Sequence, residues 1–106
     1  MDKFIDLLGA SGANYRFRAW PDAGQAPMAG NFAVVVKASG AADLLMLGMT
    51  TNLAQAQAQA AAAGLAGKPL FVRLNVAGST RRLEHDDIFA RYSPPHVFDV
   101  GLGEPT

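Results

Sequence analysis

The chain has 106 residues, half of them apolar and 17% charged, with nine Lys plus Arg balanced by nine Asp plus Glu. That size and composition suit one folded domain with a core of its own and argue against disorder. Zero net charge supplies no global electrostatic pull on nucleic acid, and the absence of cysteine excludes disulfides, thiolate metal sites and a cysteine nucleophile.

Behind a capping Asp2, Phe4, Ile5, Leu7 and Leu8 recur at three- and four-residue spacing, which predicts a short helix ended by Gly9 and Gly12. Asp2, Lys3 and Asp6 keep this segment from reading as a signal peptide, so a cytoplasmic location is expected. Over residues 15–20, Tyr15, Phe17 and Ala19 alternate with Arg16, Arg18 and Trp20, the two-residue period of a half-buried strand that Pro21 closes. A turn-rich connection covers residues 21–30.

Residues 31–37 and 43–47 are apolar almost throughout and read as a hairpin of central strands covered on both faces. Asn52 with Gln55 imitates a capping box before thirteen strong helix formers that Gly64 stops. The stretch over residues 53–66 is too short and interrupted to span a bilayer, and no membrane partner is expected. Pro69 then opens a strand over residues 70–76, with Leu70, Val72, Leu74 and Val76 toward the core and Phe71, Arg73 and Asn75 on the other face. Thr80 caps a helix over residues 81–92 that Ser93-Pro94-Pro95 ends, and a short strand over 97–100 precedes a loose tail. The reading is one domain over residues 1–106: a small layered α/β fold, with a central hairpin and further strands in a mostly antiparallel sheet flanked by helices.

Pro27 and Gly30-Asn31-Phe32 resemble the opening strand of the GIY-YIG nuclease domain. Met46-Leu47-Gly48 before Thr50-Thr51-Asn52-Leu53 is similar to its second strand and the helix start that follows. Glu84 ahead of Ile88, Tyr92, Pro94 and Pro95 is similar to its last helix, with an offset of about one residue. The resemblance covers residues 27–96 and implies a hairpin, a helix, a third strand and another helix. In that family two tyrosines position or activate the attacking water, an arginine stabilises the charge developing on the phosphate, and a glutamate holds a divalent metal. Here Phe32 and Met46 stand at the tyrosine positions and Ala56 at the arginine position.

Phenylalanine and methionine have no proton to exchange and alanine no charge, and removing one such group commonly costs about a hundred- to thousand-fold in rate. The resemblance with these departures therefore implies a binding module that needs no cofactor. The alternative is a divergent endonuclease that keeps Glu84 as the ligand of Mg2+ or Mn2+ and recruits His96 or an arginine from elsewhere.

Residues 52–67 carry no charge, so the helix there cannot grip phosphates, whereas its small residues suit close packing on a sheet. Glu84 has a second reading as the ion-pair partner of Arg73 or Arg81. Consecutive helical residues point about a hundred degrees apart, so His85, Asp86 and Asp87 cannot converge on one ion and read as a solvated face. Asp87 and Arg91 are spaced for an ion pair. Arg16, Arg18, Arg73, Arg81 and Arg82 would form a local patch for a protein, an anionic ligand or nucleic acid if they project together, and His96 follows the two prolines as a further binding candidate. A third reading takes the resemblance as accidental: another small α/β sandwich, whose copies assemble through the hairpin edge or the alanine-rich helix.

Overall fold

The computed structural model describes residues 3–20, 28–38 and 41–99. The expected tail, and most of the expected connection over residues 21–30, lie outside the described residues. The chain is an α/β protein with six strands, β1 (Phe4–Leu8), β2 (Asn14–Ala19), β3 (Gly30–Ala38), β4 (Ala41–Thr50), β5 (Leu70–Leu74) and β6 (His96–Asp99), and two helices, α1 (Ala56–Ala62) and α2 (Gly78–Tyr92). The strands form one sheet in the order β1-β2-β5-β3-β4-β6. Every neighbouring pair is antiparallel except β4 with β6.

The β3-β4 hairpin runs from Gly30 opposite Thr50 to Ala38 opposite Ala41, with an irregularity between Val34 and Val35 that leaves Leu45 without an opposite residue. Alternation along the strands splits the apolar residues between two faces. Ala33, Val35 and Leu47 join Ile5, Leu7, Phe17, Leu44 and Phe71 beneath Ile88 of α2. Phe32, Val34 and Met46 join Leu70 and Val72 beneath Leu53, Ala56 and Ala60, at the start of and within α1. One helix covers each face, and each large apolar side chain so buried contributes about 1.5–3 kcal/mol.

The helix expected after Asn52 forms, but in two pieces. Asn52 Oδ1 accepts from the Ala54 N–H at 3.0 Å and opens a single 3₁₀ turn, Leu53–Gln55, before the α-helix. Gly64, at φ 81°, follows the last turn, and its N–H donates to the Ala61 carbonyl.

Three sequence expectations are corrected. Residues 4–8 form a strand and not a helix, because Ile5 and Leu7 point into the core opposite Phe17 and Tyr15 while Phe4, Asp6 and Leu8 point out. Strand β5 stops at Leu74: Leu74 and Val76 are 58% and 60% exposed, and Phe71 is the core residue of the other face. Helix α2 starts at Gly78, three residues before expected, with Ala77 and not Thr80 as its cap. Arg81 sets that start, its backbone N–H donating to the Ala77 carbonyl and its Nη1 to the carbonyls of Asn75 and Val76. The helix ends at Tyr92 as expected, with Ser93 in the left-handed region at φ 44° and its N–H on the Phe89 carbonyl. Among the described residues no helix is long and apolar enough to cross a membrane.

Candidate functional site

One register row crosses all six strands on the α1 side: Phe4, Arg18, Val72, Phe32, Gly48 and Phe98. Phe32 is fully buried, and its ring lies over Gly48, where any Cβ would overlap it. The missing side chain at Gly48 lets that ring reach Phe98, with centroids 5.9 Å apart and planes tilted by 42°. Met46 and Ala56, 3% and 0% exposed, belong to the same cluster. The structure thus brings together three positions singled out by the resemblance, Phe32, Met46 and Ala56, in a closed apolar layer.

Glu84 belongs to the other face. There the row Asp99, Met49, Asn31 and Arg73 runs beneath α2. Arg73 Nε donates to Glu84 Oε1 at 2.8 Å, and Arg82 Nη2 donates to Asp99 Oδ1 at 2.8 Å. Between these ion pairs the fully buried Asn31 donates through Nδ2 to the Arg81 carbonyl at 3.2 Å. Asn75 Nδ2 donates to both Asn31 Oδ1 and Glu84 Oε1. Helix α2 is therefore pinned to β5, β3 and β6, and the Glu84 carboxylate is spent on that attachment.

The His85 side chain is buried, 3% exposed, which corrects the expected solvated face, and its Nδ1 has no hydrogen-bond partner among the described residues. Burial holds the imidazole below its ordinary pKa, against the opposing pull of Asp99 and Asp86. Among the described residues, no three His, Cys, Asp or Glu side chains are grouped to hold a metal ion.

The candidate arginines divide between the two faces. Arg16 Nε pairs with Asp6 Oδ1 at 2.9 Å, and its guanidinium lies 4.0 Å over the Phe4 ring. That hydrogen bond holds the Asp6 carboxyl below its usual range. Arg18 is exposed on the same open face and makes no ion pair among the described residues. On the α2 side Arg73 serves Glu84, Arg82 serves Asp99 and Asp86, and Arg81 is 9% exposed and bound to backbone carbonyls. His96 is exposed at the start of β6, opposite Met46. The five arginines do not converge.

Asp87 makes a cluster that the sequence reading missed. Its carboxylate accepts from the Ser11 N–H at 2.9 Å, the Ser11 hydroxyl at 2.6 Å and the Tyr15 hydroxyl at 2.7 Å, instead of pairing with Arg91. The turn between β1 and β2 is thereby tied to α2, and Gly9 is needed because a Cβ there would overlap the carboxylate. Hydrogen bonds from Ser11, then Tyr15, lower the Asp87 pKa, and the bond to Asp87 raises that of Tyr15. The available signal was a serine in a tight turn next to a tyrosine-bearing strand.

This site defines an α/β protein with two polar clamps under one helix and a sealed apolar layer under the other. Comparison with protein families, with curated proteins and with solved structures finds no match to the chain.

Proposed function

We propose that the chain is a degenerate GIY-YIG-like domain that works by binding and does not hydrolyse phosphodiesters. The observation that carries the non-hydrolytic part of this reading is the closed packing of Phe32, Met46 and Ala56 on one face while Glu84 is committed to Arg73 and Asn75 on the other. Hydrolysis needs the water activator, the charge stabiliser and the metal ligand around one phosphate, each within about 3 Å of the atoms they serve. A β-sheet stands between these groups.

The order β3, β4, α1, β5, α2 supports the resemblance, since the helical turn at Leu53 begins three residues after β4 ends. Binding would use the half of the α1-side face that α1 leaves open, where Phe4, Arg16 and Arg18 are exposed, toward a protein or an anionic ligand. The endonuclease alternative requires Glu84 to abandon two partners at 2.8 Å.

Incubation of supercoiled plasmid with the protein and Mg2+ or Mn2+ tests the reading, and no nicking above the blank is expected. Divalent-dependent nicking that disappears in Glu84→Ala, and in Glu84→Gln with its fold verified by circular dichroism, overturns it.

A further inference from the structure

An apolar groove of about 450 Å³ lies between one side of α1, the loop that follows it and the junction of β2 with β5. Its walls include Trp20, Gln57, Leu65, Ala66, Lys68 and Phe71. That volume is in the range of small-molecule sites, which are typically about 300–1,000 Å³ and mostly apolar with a few polar groups.

The loop forming one wall is fixed in place. Gly64 and Gly67 take φ 81° and 82°, while the Leu65 N–H donates to the Ala60 carbonyl and the Lys68 N–H to the Leu65 carbonyl. The groove is therefore preformed, which lowers the cost of ordering it around a ligand.

Chemistry narrows the occupant. The lining is carbon-rich and includes the flat indole of Trp20, suited to stacking or edge contact with a second ring. Among the described residues Lys68 is the one charged lining residue; it is exposed and makes no ion pair there. A cation would meet like charge there, and a neutral ring would forgo a charge-assisted hydrogen bond.

We propose that this groove binds a small planar aromatic anion, its ring against Trp20 and its acidic group on Lys68 Nζ. The site does not depend on the nuclease resemblance, because none of Phe32, Met46, Ala56 and Glu84 lines it.

Trp20 is the chain's single tryptophan, so its indole N–H gives one side-chain resonance in a nitrogen-proton correlation spectrum. Naphthoate should shift that resonance saturably, and neutral naphthylmethanol should bind about fivefold more weakly, the scale of one exposed ion pair. Lys68→Gln should abolish the difference between the two, and Ala66→Phe, at an exposed position, should block both by filling the groove. Absence of a shift with naphthoate, equal affinity for acid and alcohol, or an undiminished preference for the acid in Lys68→Gln overturns the proposal.

Discussion

Glu84 and Phe32 stand on opposite faces of one sheet: the carboxylate is bound beneath α2 and the ring is sealed beneath α1. The sheet separates two residues that a nuclease reading needs in one pocket. Each makes structural contacts whose contribution is measurable.

The Glu84 carboxylate accepts from Arg73 and Asn75, and its side chain and that of Arg73 are 13% and 29% exposed. Glu84→Ala strands a partly buried guanidinium and one Asn75 donor, at a cost of about 2 kcal/mol. Thermal unfolding followed by circular dichroism should show a loss of roughly 10 °C. Glu84→Gln, which keeps an acceptor for Asn75, should lose less.

Gly48 carries the ring of Phe32 across its backbone, so Gly48→Ala forces a fully buried aromatic side chain to move. Overpacking of this kind costs about 1–3 kcal/mol. Denaturant unfolding should show that destabilisation, and in the Phe32→Leu background the same glycine substitution should cost less, because the ring it meets is gone.

Strand β1 shows where sequence patterning failed. Phe4, Ile5, Leu7 and Leu8 fit one helical face as well as they fit a strand, and pairing with β2 decided the outcome by burying Ile5 and Leu7 and exposing the other two. The hairpin, β5 and both helices were legible because their apolar runs and glycine or proline stops leave no equivalent alternative. Leu74 pairs with Gly30 yet is exposed, and Val76 continues the alternation beyond it, so periodicity could not mark the end of burial. In the candidate site, Phe32 and Met46 could be placed side by side from the hairpin. The side of the sheet taken by Glu84 depends on where α2 packs, which local spacing does not encode.

His85 is held below its ordinary value of 6.5, mainly by burial, so the unfolded chain binds its proton more readily than the native one. Its contribution is full above pH 6.5 and is lost as pH falls from there through the depressed native pKa. Unfolding free energy should therefore decline on acidification below pH 6.5, and His85→Phe should flatten that part of the profile. Unchanged slopes in the two proteins would show that the imidazole is not buried in its neutral form.

Asp87 and Tyr15 titrate at opposite ends of the pH range. Asp87 is lowered from 3.8, so the stability it confers is present above that pH and lost as pH falls through its native value. Tyr15 is raised from 10.0, so its contribution is present below that pH and lost as pH climbs toward its native value. Tyr15→Phe should abolish the alkaline loss and, by removing one donor to Asp87, weaken part of the acid one. Spectrophotometric titration of the tyrosines, with unfolding measured at each pH, checks both.

The separation of Phe32 from Glu84 is tested most directly by proton cross-relaxation in solution. Phe32 ring protons should show contacts to Phe98, Met46 and Ala56 and none to Glu84, whose side chain should instead contact Asn75 and Arg73. Contacts between the Phe32 ring and the Glu84 methylenes would contradict the account and return the two residues to one pocket.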